Sequence, residues 1–241
     1  MLPIGDDNTC RRGSAVLTWL IIGINVAVFV FYQRFGTDAY RTLSLAAVPA
    51  QLASIRGILS LLTSQFAHAG LGHLASNMLF LGIFGDNVEC RLGKKRYLAL
   101  YLGSGLFGVL AHTAMALVLG GDAARVPLVG ASAAISGVLA SYLVLFPGNR
   151  VIVLLFNFIP TALSAWFVIG FWFVLQVLGG LFGFGSSGVA YLAHIGGFAV
   201  SWFWSRSYRK KEAARLEAER AERLLRGDSG GIRWWIVDDE D

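Results

Sequence analysis

The sequence predicts an all-α polytopic membrane protein, six transmembrane helices in one bundle with both termini cytoplasmic and a charged tail behind them. Three observations predict it. Hydrophobic residues make up 56% of the 241-residue chain and charged ones only 15%, against roughly 25% charged in a soluble globular domain. No Asp, Glu, Lys or Arg occurs from Val151 to Trp204, whereas Arg206 to Arg226 alternates bases and acids almost without pause. Six stretches are long and apolar enough to approach the ~20 residues that a hydrocarbon core requires.

The elements follow in order. Residues 1–14 form a cytoplasmic N-terminus. The first span covers 15–32; it follows Arg11 and Arg12 as a secretory signal would, but it is too long for a signal h-region and no small-residue cleavage site follows closely. An outer segment runs from Gln33 to about Gly70, with Leu43 to Leu52 and Ile58 to Phe66 apolar enough for the membrane interface and Pro49 breaking the first of them. The remaining spans are 71–88, 97–119, 130–146, 162–181 and 188–205, so the membrane body is 15–205 and the tail 206–241. In the tail, Lys210 to Arg226 reads as a solvated helix, with Glu217 and Glu219 three or four residues before Arg220 and Arg223. The closing "RWWIVDDED" fits a partner motif or a frayed end.

Orientation follows the Lys and Arg of the short loops. With the N-terminus inside, Arg11, Arg12, Arg91, Lys94, Lys95, Arg96, Arg150, Arg206, Arg209, Lys210 and Lys211 are cytoplasmic, and only Arg34, Arg41, Arg56 and Arg125 are outside. The net charge of +5 is then mostly a topology signal. It gives no ground for nucleic-acid binding, which calls for basic residues interleaved with aromatics on a soluble module. Cys10 and Cys90 both face the cytoplasm in this arrangement, which disfavours a disulfide, and neither has the neighbours of a metal ligand.

Polar side chains at membrane depth are costly and mark a functional site or a polar interior. In this topology His73 and Asn77 lie in the outer turns of the second span, Ser132 in the outer first turn of the fourth, and His194 about two turns below the outer end of the sixth. Three helices thus deliver polar groups to one depth. A serine, a histidine able to take its proton and convergent donors are the parts of nucleophilic acyl transfer. Each has a plainer reading. His73 and Asn77, four apart on one face, suit a structural hydrogen-bond set. Ser132 with Ser136, and Ala133 with Gly137, have the spacing of small residues that pack helices closely in lipid. Gly197 and Ser201 give the sixth span a similar face, so close packing and a serine to histidine contact are compatible.

At these residues the chain resembles the rhomboid intramembrane serine proteases. "HAGLGHLASNMLFLGIFGDNVECRLG", "GASAAISG" and "AHIGGF" resemble the family's three signature segments, in order, within about 15–205. The resemblance implies a rhomboid-like six-helix bundle with Ser132 as nucleophile and His194 as general base. It implies that His73 and Asn77, with the Ser132 N–H, stabilise the oxyanion. His68 would organise water and polar contacts nearby, Gly130 and Gly137 would pack the nucleophile's helix, and Gly197 would do so on the helix of the base. Glu89 and Arg91 match a structural charged cluster, and His112 matches no catalytic position.

Three features depart from the family pattern: Ala133 follows the nucleophile where many members have Gly, Ser136 stands where many have an aromatic against which the base stacks, and the Trp-Arg pair often found in the first outer loop is missing. The implied chemistry is hydrolysis of peptide bonds in or next to transmembrane segments by a Ser-His dyad, without metal or cofactor. The implied substrates are single-span membrane proteins that enter the bilayer site beside the fifth span, where "WFVIGFWF" fits the flank and an ordinary lipid-facing belt equally well, in a multi-pass protein of a bacterial-type inner membrane with the site near the extracytoplasmic side. The alternative is a catalytically inactive relative that binds membrane clients. A transporter is disfavoured because no inverted repeat is evident, and a zinc protease because no HExxH occurs.

Overall fold

Helices form over all six apolar stretches, and a small sheet forms where the sequence suggested none. The structure is a computed structural model that describes residues 2–7, 15–156, 158–182 and 189–226. Arg11, Arg12, Cys10 and the closing 233–241 segment lie outside the described residues. In chain order the elements are β1 (Leu2–Asp6), α1 (Val16–Ala27), α2 (Ala39–Leu45), α3 (Ile55–Thr63), α4 (Leu71–Leu92), α5 (Lys94–Leu119), α6 (Ser132–Leu145), β2 (Arg150–Leu155), β3 (Ile159–Ser164), α7 (Ala165–Phe182) and α8 (Tyr191–Leu225). The chain divides into two compact units, Met1–Ser205 and Arg206–Asp241.

The breaks between helices have local causes. Gly93 (φ +76°) ends α4 and Gly120 (φ +66°) ends α5, left-handed positions that glycine reaches without a Cβ penalty. Asp38 and Ser54 cap α2 and α3 by accepting the N–H groups of Arg41 and Gly57, each at 3.0 Å. Among the described residues, α5 and α7 are the helices with the length and hydropathy to cross a membrane. Helix α3 is packed inside out, burying Gly57 and Ser60 while Ile55, Ile58 and Leu59 are exposed, the arrangement expected of a segment immersed in apolar surroundings.

Long-range polar contacts position the helices. Glu89, buried near the end of α4, accepts the Leu17 N–H (2.9 Å), the Thr18 N–H (2.7 Å) and the Thr18 hydroxyl (2.9 Å). The carboxylate thus satisfies orphan donors at the N-terminus of α1. At the other end of α1, which closes in a π-helical turn over Val28–Tyr32, the Gln33 amide bonds both backbone groups of His68 at 2.8 and 3.0 Å. In the core, α6 is buried on nearly every side. Its small residues allow this: a Cβ on Gly137 would collide with Ser104 of α5 and Ser201 of α8, and one on Gly197 with the Ala133 carbonyl of α6.

Strands β1, β2 and β3 form an antiparallel sheet in that order, with Leu2 opposite Leu154, Asp6 opposite Val151, and Arg150 opposite Ser164. The fold is mostly helical, as expected, and this sheet is the addition that the all-α reading lacked. The expected start of the fifth span at 162 also moves, because 162–164 belong to β3 and α7 begins at Ala165. The apolar run from Val151 reads equally as buried helix or strand, and pairing with β1 resolves it toward strand. Asp6 fastens the sheet to the bundle, accepting from Asn87 of α4 (2.9 Å) and from the Tyr142 hydroxyl of α6. Cys90 is disulfide-bonded, against the expectation of no bridge, which rested on compartment alone.

In the second unit, α8 continues as a solvated helix after Arg206. Arg215 pairs with Glu219 at 3.1 Å and Arg226 with Glu222, so Glu219 turns toward the preceding arginine where the sequence suggested the following one.

Candidate functional site

The segment that leads into α6 is held by the outer part of the chain. Ala47 and Leu128 exchange both backbone hydrogen bonds (3.0 and 2.8 Å), and the Gly130 N–H donates to the Ser64 carbonyl at 2.8 Å. Gly130 has φ +127°, and a Cβ there would stand 2.8 Å from Cε1 and Nε2 of His73. Glycine therefore permits both the backbone conformation and the close approach of the His73 ring. Two residues later Ser132 opens α6, placing its side chain at a helix N-terminus.

Ser132 Oγ lies 2.7 Å from His194 Nε2. His194 sits in the first turn of α8, one turn higher than the sequence suggested, because the helix starts at Tyr191 rather than 188. The backbones come this near through small residues: a Cβ on Gly108 of α5 would stand 2.8 Å from Ala133 Cβ and press on the Ala193 carbonyl. On the far side of the ring, His194 Nδ1 is 2.7 Å from Gln176 Oε1 of α7, and the Trp172 ring lies 6.0 Å from the imidazole, centroid to centroid, at 33°. The contact with Gln176 escaped the sequence reading, although a lone amide at membrane depth was itself a signal. Ser136 turns away: its hydroxyl donates to the Ser132 carbonyl at 2.7 Å.

A cavity of about 570 Å³ opens beside the pair, lined among others by His73, Asn77, His112, Ser132, Trp172 and His194. The amide nitrogen of Asn77 is buried and donates to nothing among the described residues. His73 and Asn77 thus face the space in front of Ser132. His112, which the sequence left as structural, also borders it. His68 is fully buried, its ring edge-on to that of His73 at 5.1 Å. Burial, followed by the neighbouring His73, pushes the His68 imidazole down to about 3, so it is neutral throughout the physiological range.

The N-terminal turns of α4, α6 and α8 all border this cavity, and helix N-termini carry partial positive charge. The arrangement puts a hydroxyl within hydrogen-bond reach of an imidazole, beside helix ends electrostatically suited to an anion.

The Rhomboid domain family matches residues 56–211. The chain is 30% identical over 216 residues to "Rhomboid protein 1, mitochondrial" of Saccharomyces cerevisiae, covering 84% of this chain and 57% of that protein. It is 31% identical over 159 residues to "RHOMBOID-like protein 12, mitochondrial" of Arabidopsis thaliana, covering 61% and 46%. With "Rhomboid protease GluP" of Bacillus subtilis it shares 29% identity over 195 residues, covering 80% and 35%. The chain thus spans about half the length of the curated relatives it matches.

Proposed function

Because the chain belongs to the rhomboid family of membrane proteins, we propose that it is an intramembrane serine endopeptidase that cuts peptide bonds in or next to transmembrane segments by a Ser-His dyad. The observation that carries this reading is the 2.7 Å contact between Ser132 Oγ and His194 Nε2 on the wall of a cavity that also holds His73 and Asn77. Hydrolysis of a peptide needs a nucleophile, a base and an oxyanion stabiliser in one place.

In the mechanism, Ser132 Oγ attacks the scissile carbonyl carbon while His194 Nε2 takes the hydroxyl proton. The carbonyl oxygen becomes an oxyanion that receives hydrogen bonds from the Asn77 amide, His73 and the Ser132 backbone N–H. Collapse of the tetrahedral intermediate breaks the C–N bond as the imidazolium returns its proton to the leaving amine. The acyl-enzyme is then hydrolysed by a water that loses its proton to His194. Substrates are single-span membrane proteins entering from the bilayer beside α7, whose exposed Trp166 and Phe167 suit a lipid-facing flank. The site faces the extracytoplasmic side of a bacterial-type cell membrane.

Purified protein in liposomes is expected to cleave a reporter transmembrane substrate, and Ser132→Ala and His194→Ala are each expected to abolish cleavage. A serine-reactive fluorophosphonate is expected to label the wild type but not Ser132→Ala. Cleavage that persists in Ser132→Ala would sink the assignment. Substrate capture without cleavage or labelling by the wild type would instead identify a client-binding relative.

A further inference from the structure

A histidine can accept a serine proton at Nε2 only if its own proton sits on Nδ1, and in free imidazole the two tautomers interconvert readily. Something must therefore hold the Nδ1–H. Among the described residues no carboxylate approaches His194, and the titratable side chains that share its cavity are His73 on α4 and His112 on α5. The atom that meets Nδ1 is Gln176 Oε1, at 2.7 Å, and Gln176 is itself buried. The amide orientation has its own support, since the NH2 group turns back along α7 to 3.5 Å from the Trp172 carbonyl. This leaves the oxygen, an acceptor only, facing the ring. An Nδ1 facing an acceptor must carry the proton, which leaves Nε2 bare toward Ser132.

We propose that Gln176 is the positioning residue of the site, fixing the tautomer and orientation of His194 so that α7 supplies a third member behind the serine and the histidine. The inference rests on the protease reading above. A neutral amide suits this place, because a carboxylate at membrane depth would carry a large desolvation cost. It gives up part of the imidazolium stabilisation that a charge would bring and keeps the directional part. Ser136 has already turned to its own helix, so it gives the base no support, and Trp172, one turn before Gln176 on the same face of α7, borders the ring without a hydrogen bond to its nitrogens.

Helix α7 meets α8 through the stacked rings of Phe173 and Phe198, 4.1 Å apart, as well as through Gln176. Its buried residues are Ala165, Val168, Ile169 and Gln176, and Gln176 stands apart from the other three toward the C-terminal half. Orientation of the base therefore depends on that half of α7 staying docked. A displacement of α7 that opened the cavity sideways would free the Nδ1–H as well.

The test compares Gln176→Met, which keeps side-chain length and loses the acceptor, with Gln176→Glu, which keeps side-chain length and an accepting oxygen. In Gln176→Met, kcat is expected to fall roughly ten- to a hundredfold, the scale of one buried hydrogen bond, with KM changed less than about threefold. Fluorophosphonate labelling, which needs the activated serine but no transmembrane substrate, is expected to slow by the same factor. Gln176→Glu, neutral in this buried place with its carbonyl oxygen still able to accept, is expected to be faster than Gln176→Met in both readouts.

A readout independent of activity is the 15N spectrum of histidine-labelled protein, with His194 assigned by its loss in His194→Ala. Wild type is expected to show Nδ1 protonated and Nε2 bare, and Gln176→Met a mixture. If Gln176→Met does not fold, Gln176→Asn, with its shorter reach, is expected to show the same slowing and the same mixture. Wild-type kcat and an unmixed tautomer in folded Gln176→Met, or in Gln176→Asn where Met does not fold, would overturn the proposal and leave the protease reading intact. Absence of wild-type cleavage and labelling would overturn the protease reading, while the tautomer spectrum would still report on Gln176.

Discussion

Gly130 and Gly137 bracket the first turns of α6, and the difference between them shows how one residue type serves two ends. At Gly130 the constraint is local to the site: the positive φ and the His73 ring at 2.8 Å from a Cβ position leave no room for a side chain. Gly130→Ala is expected to lower cleavage by roughly tenfold or more, because displacing the ring of His73 disturbs an oxyanion donor on the proposed mechanism, and to lower the thermal midpoint through the strained backbone. At Gly137 the constraint is packing against Ser104 and Ser201. Gly137→Val is expected to destabilise the bundle by about 1–3 kcal/mol, as overpacking does, and a detergent thermal melt reads this directly. Much of the site was legible at this scale. Ser132, His194, His73 and Asn77 could be matched in depth from sequence because each lies near a helix start that hydropathy marks. Gln176 could not be assigned a partner, because its meaning depends on which face of α7 meets α8, and a run as apolar as Trp166 to Phe182 has no polar face by which to orient it.

Among the elements, the sheet was the least legible. Strand β1 is five residues long and has no hydrophobic face of its own, and its partner lies beyond four spans of sequence. No local pattern could announce it. Its attachment has a titratable part. Burial raises the Asp6 carboxyl from 3.8 to about 6, with the Tyr142 hydrogen bond opposing the shift and Asp86 and Asp7 adding to it. The folded state therefore binds the proton more tightly than the unfolded one. This stabilising contribution is complete below about 3.8 and is lost as pH rises through about 6. His68 has the opposite sign: with its folded value at about 3 against 6.5 unfolded, stability rises with pH across that window. The two are separated by difference. Asp6→Asn, whose side-chain oxygen can still accept from Tyr142 and Asn87, is expected to be more stable than wild type at pH 7, with the gap closing by pH 4. Thermal midpoints of both proteins across that range check it. An equal gap at both pH values would show that Asp6 does not titrate in this window.

At the scale of the whole chain, hydropathy and basic loops indicated a membrane protein before any coordinate was known, and family membership agrees with that. The proposed orientation places the basic loops and both termini in the cytoplasm and Ser132 toward the other face. A C-terminal reporter is expected to read as cytoplasmic, and a membrane-impermeant fluorophosphonate is expected to label Ser132 from the extracytoplasmic side of sealed vesicles. Labelling only after the vesicles are opened would reverse the orientation. The register of the sheet has a further consequence, in time rather than space. Leu2 pairs with Leu154 and Asp6 with Val151, so β1 leaves the ribosome long before its partner exists. At about 5–20 residues per second it waits roughly ten to thirty seconds with both edges unpaired, while the intervening helices enter the bilayer. Closure of the sheet is thus a late event in synthesis. A chain arrested before Arg150 would still display an open strand to whatever patrols that face of the membrane.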